Sequence, residues 1–262
     1  MKKEFAVMRE ALFEGGKIAK KYAGKIGYEL KSKANLVTKA DIEAQKRIIK
    51  IISAAFPAHA FLAEEEQKGV KTQGRFKWVI DPIDGTTNYA HTFPHSAVSI
   101  ALAEGDKILL GGVYDFFKEE TFTAVKGFGA KLNGKKISVS NVKRLEDSLL
   151  ITGFAYDRSI LEKTCLPLFK KLILTAHDIR RSGSAALDLC WAAAGRIDGY
   201  WEFNLNPWDV AAGKLILEEA GGKVTDFNNK LWGPLANFGV QTLATNGRIH
   251  KEMFSAISEI LK

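Results

Sequence analysis

Two aspartates stand where an apolar segment stops, and that placement suits the binding of a hard cation. Trp78-Val79-Ile80 runs into Asp81-Pro82-Ile83-Asp84-Gly85-Thr86-Thr87-Asn88-Tyr89. Acids three residues apart at the end of a buried strand can converge on one point. Pro82 cannot donate to a strand ladder and is expected to end it, while Gly85 permits an unusual backbone angle. Magnesium takes hard oxygen ligands in near-octahedral geometry, usually a few carboxylates plus water and phosphate oxygens. Asp81, Asp84 and the intervening Ile83 carbonyl meet that need. The competing reading is a plain turn, since Asp-Pro-x-Asp-Gly is made of turn formers. Glu64-Glu65 ends a second apolar segment, Phe61-Leu62-Ala63, and alone reads as a solvated charge run. Pro207-Trp208-Asp209-Val210-Ala211-Ala212-Gly213 places an acid at the start of a small-residue helix, where the helix dipole by itself favours it.

Such acids need elements to hold them. Residues 4–23 put Phe5, Met8 and Leu12 on one face, with Ile18 continuing the stripe less regularly, which predicts an amphipathic helix. Asn35-Leu36-Val37-Thr38 leads into a second helix over about 39–54, with Ile42, Ile49 and Ile52 on its apolar face and Phe56-Pro57 at its end. Thr38-x-x-Asp41 at its start has the form of a capping box. Strands are predicted at 61–63 and 78–80, and 97–103, 108–114 and 120–125 read as an antiparallel meander. Pro82 and Asp81 together are expected to close the strand at 78–80. Gly127, Gly129 and Gly134 punctuate the chain beyond the meander. Past about residue 145, strands at 149–152, 199–202, 223–227 and 241–244 alternate with helices at 159–174, 184–195, 208–220 and 248–261. Gly221-Gly222 is a C-terminal signal for the third of these helices. The order implies one domain with an N-terminal α+β half over about 1–145 and a C-terminal α/β half over about 146–262.

Composition excludes several classes. The 262 residues are 46% hydrophobic, enough for a sizeable core. No stretch is apolar for long enough to cross a bilayer, and Met1-Lys2-Lys3-Glu4 leads into an amphipathic pattern, so no signal peptide is expected. Cys165 and Cys190 sit in apolar segments without metal-ligand spacing, as expected of small core residues in a reducing cytoplasm. The net charge of +8 comes from scattered lysines, with no basic block among aromatics and no nucleic-acid-binding signature. It suits long-range attraction of an anionic substrate. None of the five histidines has a partner pattern.

Asp81-Pro82-Ile83-Asp84-Gly85-Thr86 and Trp208-Asp209-Val210-Ala211-Ala212-Gly213 resemble the two signature motifs of the inositol monophosphatase family. Glu64-Glu65 is similar to a third family element, although Ala63 and Glu66 replace the family's usual glycine before it and Ser or Thr after it. Asn35-Leu36-Val37-Thr38-Lys39-Ala40-Asp41 resembles a fourth. The resemblance runs in order along the whole chain. It implies a layered α-β-α-β-α fold of the α+β class, commonly dimeric, in a lithium-sensitive, magnesium-dependent phosphatase superfamily.

Residue by residue, the resemblance implies that Glu64, Asp81 and the Ile83 carbonyl hold one magnesium, and that Asp81, Asp84 and Asp209 hold a second. A third, weaker ion would draw on Glu64 again. Gly85 and Thr86 would present amides to the phosphate, and Thr86 and Asp41 would orient the attacking water. Arg181-Ser182-Gly183-Ser184-Ala185-Ala186 resembles the segment that meets the sugar-like ring, with Gly183 and Ala185 as contacts, and Glu202 would accept hydrogen bonds from substrate hydroxyls. Thr152-Gly153-Phe154 looks more like the bacterial branch. A lysine of the mobile loop has no firm counterpart, although Lys31 and Lys33 stand nearby. The expected reaction is hydrolysis of a small phosphomonoester, foremost myo-inositol monophosphate. Fructose-1,6-bisphosphatase (alone or combined with it), histidinol-phosphate phosphatase and, last, phosphoadenosine phosphate phosphatase are the rivals. A non-enzymatic rival is binding to the transcription or ribosome-maturation machinery.

Overall fold

Helix α1 (Lys2–Tyr22) buries Met8, Ala11, Leu12 and Ala19 along one stripe, as the apolar spacing dictates. This computed structural model describes residues 1–25, 27–32, 35–65, 68–155 and 157–261; Lys33 and Glu66 lie outside them. A hairpin of β1 (Tyr28–Ser32) and β2 (Asn35–Thr38) leads to α2 (Lys39–Ala55). Next come β3 (Ala60–Ala63), β4 (Phe76–Asp84), the short helix α3 (Thr86–Ala90), β5 (Ala97–Glu104), β6 (Lys107–Asp115), β7 (Glu120–Val125), β8 (Ala130–Leu132) and β9 (Lys135–Lys136). Strands β3 to β9 form a seven-stranded sheet in sequence order, parallel only between β3 and β4.

The remainder comprises β10 (Leu149–Thr152), α4 (Arg158–Ile160), α5 (Leu166–Ile173), β11 (Asp178–Arg181), α6 (Ala185–Ala193), β12 (Gly199–Phe203), α7 (Pro207–Glu219), β13 (Lys223–Thr225), β14 (Gln241–Thr245) and α8 (His250–Ile260). Its five strands lie in the order β11-β10-β12-β14-β13, with β10 parallel to both neighbours and β14 antiparallel to both of its own.

Helices α1 and α2 cover one face of the seven-stranded sheet, α6 and α7 fill the space between the sheets, and α5 and α8 cover the far face of the five-stranded sheet. The fold is therefore a layered α-β-α-β-α arrangement of the α+β class. Both faces of β4 and β5 are covered, so these strands are continuously apolar rather than alternating. Helix α7 sits directly on the sheet because both surfaces are small there: a Cβ on Gly111 of β6 would lie 2.7 Å from the Ala212 carbonyl oxygen. That close approach brings the first turn of α7, with Asp209, down to the end of β4.

Four expectations need correction. Strand β4 does not end at Asp81; it runs to Asp84, and pairing with β5 resumes at Asp84–Ala97 after an irregularity between Asp81 and Asp84. Pro82 falls inside that gap, where no donor is needed. Ile42 is 42% exposed, and Ile48 takes its expected place in the core beside Ile49 and Ile52. The helix expected over 159–174 contains a π-helical stretch, Leu161–Cys165, ahead of α5; Pro167, lacking an N–H, sits in the first turn of α5 and adds no hydrogen bond to the ladder there. The strand expected over 223–227 stops at Thr225.

Candidate active site

The parallel pair β3–β4 sets Glu64 beside Asp81. Ala63 pairs with Ile80, and the Glu64 N–H donates to the Ile80 carbonyl at 3.1 Å, so Glu64 and Asp81 follow together where the β3–β4 pairing ends. Asp81 is buried and its Oδ1 accepts the Ile83 N–H at 3.0 Å. Three residues on, Asp84 Oδ2 accepts the Ser184 hydroxyl and, at 2.9 Å, the Ala186 N–H. The first turn of α6 thus anchors an acid from the other sheet. Gly85 then turns left-handed with φ 86°, and a Cβ there would come within 3.0 Å of the Gly183 carbonyl and 3.1 Å of the His95 carbonyl. Only glycine satisfies both the angle and the space.

Asp209 occupies the third position of α7. Its Oδ2 accepts the Asn206 N–H at 2.6 Å, the carboxylate half of a capping box. Asp81, Asp84 and Asp209 each offer an oxygen within 4.8 Å of the others. Burial raises the pKa of Asp81 well above the usual carboxylate range, and the neighbouring Glu64, Asp84 and Asp209 raise it further. Burial also lifts Asp84 to about 6 against the pull of its Ser184 and backbone donors. Asp209 is raised well above its usual value by burial and then by Asp84. Among the described residues none of the three has an ion-pair partner. Three crowded carboxylates without a protein cation form an all-oxygen donor set that fits a hard divalent ion.

Asp41 lies behind this cluster and is fully buried. Its Oδ2 accepts the Thr38 N–H at 2.8 Å and the Thr38 hydroxyl at 2.6 Å, capping α2. Its Oδ1 lies 3.4 Å from the Thr86 hydroxyl, which donates more closely, at 3.0 Å, to the Ile83 carbonyl. One carboxylate therefore caps a helix and faces the site at once. Burial raises its pKa to about 7; the Thr38 hydrogen bonds oppose this, and Glu64 and Glu65 add to it.

A cleft of about 160 Å³ is lined by Glu64, Asp81, Ile83, Asp84, Gly85, Thr86, Gly183, Ala185, Glu202 and Asp209. Asp41 is the one residue singled out in the sequence that does not line it; it reaches the cleft through Thr86. Glu64 lines the cleft but stands outside the tight trio of aspartates. Glu202, opposite the trio, carries a pKa raised to about 7 by burial, eased by Tyr200 and Arg181. Sequence reasoning placed Arg181 and Ser184 in the ring-facing segment without giving either a role, and it missed Asn206. A serine ahead of an alanine-rich helix is a capping signal, but nothing local says that its hydroxyl serves Asp84, 100 residues away.

Two layered sheets with a largely buried carboxylate cluster at a strand end form a site of the kind that can hold a divalent cation. The inositol monophosphatase family profile matches residues 2–262. The chain is 46% identical over 224 residues to an inositol-1-monophosphatase of Synechocystis sp., covering 86% of this chain and 77% of that one. It is 40% identical over 256 residues to the Nus factor SuhB of Pasteurella multocida, covering 97% and 95%. The solved inositol monophosphatase of Anabaena (Nostoc) sp. superposes with a TM-score of 0.87 at 40% identity, covering 97% of this chain and 94% of that one. The chain belongs to the inositol monophosphatase family.

Proposed function

We propose that the chain is a magnesium-dependent phosphomonoesterase that hydrolyses phosphate esters of small hydroxylated alcohols, foremost myo-inositol monophosphate. The observation that carries this reading is the trio of carboxylates within 4.8 Å of one another at the floor of the cleft, without an ion-pair partner among the described residues. In this reading Asp81, Asp84 and Asp209, with Glu64 and the Ile83 carbonyl beside them, hold two to three magnesium ions. When bound, the ions supply electrophilic assistance at the phosphoryl group and increase the acidity of water.

The chain's own groups do the rest. The Gly85 turn leaves the first amides of α3 without intrahelical acceptors, free to receive phosphoryl oxygens. The Thr86 hydroxyl has two acceptors in reach, the Ile83 carbonyl at 3.0 Å and Asp41 Oδ1 at 3.4 Å, and with its hydrogen turned to either the oxygen lone pairs are left to orient an attacking water. Asp41, held near neutrality and 3.4 Å behind Thr86, is placed to take the proton through that hydroxyl. No side-chain nucleophile is required. Gly183, Ala185 and Glu202 face the alcohol part of the ester.

Phosphate release measured across inositol 1-phosphate, fructose 1,6-bisphosphate, histidinol phosphate and p-nitrophenyl phosphate, with magnesium and with a chelator, tests the reading. Turnover of inositol 1-phosphate that is lost with the chelator is expected. Absence of release from all four esters at saturating magnesium would overturn it, and preference for another ester would move the substrate.

The identity to a protein named Nus factor SuhB favours a second role, binding to transcription machinery. Co-elution of the chain with purified transcription complexes, undiminished in a variant without turnover, would support that role. We also read the chain as a cytoplasmic homodimer, the dimer being checked by sedimentation.

A further inference from the structure

We infer that Tyr200 and Gly153 form a seat that fixes the Glu202 carboxylate in the cleft, and that this seat sets the preference for hydroxyl-rich alcohols. The inference rests on the phosphatase reading above. Tyr200 and Glu202 are two apart on β12 and so share a face of the strand. Tyr200 is wholly buried, and its hydroxyl donates to Glu202 Oε2 at 2.5 Å. A buried phenol hydroxyl needs a partner, and this one finds it in a carboxylate that lines the cleft.

Gly153 supplies the other half. It comes directly after β10, whose Thr152 pairs with Trp201 of β12, so it stands next to Glu202. A Cβ at 153 would overlap the carboxylate carbon and both oxygens of Glu202. Gly153 is not among the residues of positive φ. Its backbone therefore tolerates a side chain, and what forbids one is Glu202. The Thr152 hydroxyl donates to the Trp201 carbonyl at 2.8 Å, tying the two strand ends so that the gap keeps its width.

A glutamate side chain left to itself has several rotamers, and ordering it on binding substrate weakens recognition. Here one oxygen is committed to Tyr200 and the carboxylate lies flat on Gly153. The acceptor is thus fixed before substrate arrives. No hydrogen bond runs from Tyr200 or Gly153 to the aspartate trio among the described residues, and the phenol's own hydrogen bond goes to Glu202. Tyr200 is accordingly a positioning residue that works through Glu202.

The test is a double-mutant cycle on the ratio of kcat/KM for inositol 1-phosphate to that for p-nitrophenyl phosphate. Tyr200→Phe should lower the ratio roughly 3- to 10-fold, the worth of one typical hydrogen bond, since the phenol acts only through the Glu202 carboxylate. In a Glu202→Gln background the same change should have no further effect on the ratio. Gly153→Ala, which keeps the phenol and displaces the carboxylate, should lower the ratio likewise, and it serves if Tyr200→Phe does not fold. Equal losses on both esters, or a Tyr200→Phe effect that persists in full without Glu202, would overturn the seat. A wild-type chain that releases phosphate from neither ester overturns the phosphatase reading and the seat with it. An active wild type whose ratio ignores both variants overturns the seat alone.

Discussion

Asp41 caps α2 and, in the proposed function, also serves the attacking water, and a single substitution pulls the two apart. Asp41→Asn keeps the size of the side chain and one carbonyl oxygen able to accept from Thr38, but it removes the buried charge. The folded pKa of about 7, against an ordinary 3.8, corresponds to about 4 kcal/mol between protonation states at ~1.4 kcal/mol per pH unit. Because the folded pKa lies above the unfolded one, the folded chain holds a proton between these values that the unfolded chain has released. Stability of the metal-free protein therefore falls as pH rises from about 4 to about 7, and the full penalty is present above 7. The asparagine has no such penalty and loses only the stronger half of the cap, about 1 kcal/mol. In chelator at pH 8 the variant should resist denaturant better than wild type by ~2–3 kcal/mol, and at pH 4, where the folded wild-type carboxyl is itself protonated, the two should be equal to within ~1 kcal/mol. Its turnover should meanwhile fall roughly 100-fold or more, the usual contribution of a positioned base. Urea unfolding at several pH values, with kcat measured at saturating magnesium, reads both. A stability difference that does not change with pH would refute the buried-charge account. Wild-type turnover would leave Asp41 as a helix cap and nothing more.

The cleft residues carry further expected outcomes. Asp84→Asn keeps the Ser184 and Ala186 contacts while removing one ligand charge, so magnesium should bind more weakly and activity fall at least ~100-fold; a near-normal rate with unchanged magnesium dependence would refute the metal assignment. Thr86→Ala should depress kcat far more than it raises KM, since orienting water acts in the transition state; a change confined to KM would make Thr86 a binding residue. Glu202→Gln should lower the kcat/KM ratio for inositol 1-phosphate over p-nitrophenyl phosphate by roughly 10- to 100-fold, the worth of a hydrogen bond to a charged acceptor. Equal losses on both esters with a lowered melting temperature would instead mark Glu202 as structural.

What could be read in the sequence was what adjacency decides. Asp81 and Asp84 announce themselves because an apolar strand runs into them, and Asp209 because it opens an apolar helix. The long helices and the meander come from periodicity. The missed elements are short and polar: Asp178–Arg181 has three charged residues in four and no alternation, yet it is a strand because it pairs along the edge of β10. Lys135–Lys136 is held in the same way by β8. The rule that proline ends a ladder failed at Pro82 because the pairing already skips residues there. Ile42 and Ile48 compete for the same helix face on spacing alone, and only the packing of α1 on α2 decides. Burial was the least legible quantity, since the crowding that raises Asp41 and Asp81 comes from residues far apart in sequence.

In the proposed reading, the layer order separates the groups that would hold metal and phosphate from those that would meet the alcohol. Asp81, Asp84, Gly85 and Thr86 hang from the end of β4 in the seven-stranded sheet, while Gly153 and Glu202 hang from β10 and β12 in the other. Helices α6 and α7 lie between and contribute Ala185 and Asp209 at their first turns. Under the proposed function the phosphate shared by all candidate esters would be met chiefly from one sheet, and the alcohol from the other. Hydrogen bonds from Ser184 and Ala186 to Asp84, and from Asn88 to the Ser182 carbonyl, tie the end of β4 to the start of α6, so α6 would fix the distance between the phosphate and alcohol sides. Changes on β10 or β12 can then alter which alcohol is preferred without moving an aspartate. Changes at the start of α6 cannot, because they shift a ligand and the ring-facing wall together.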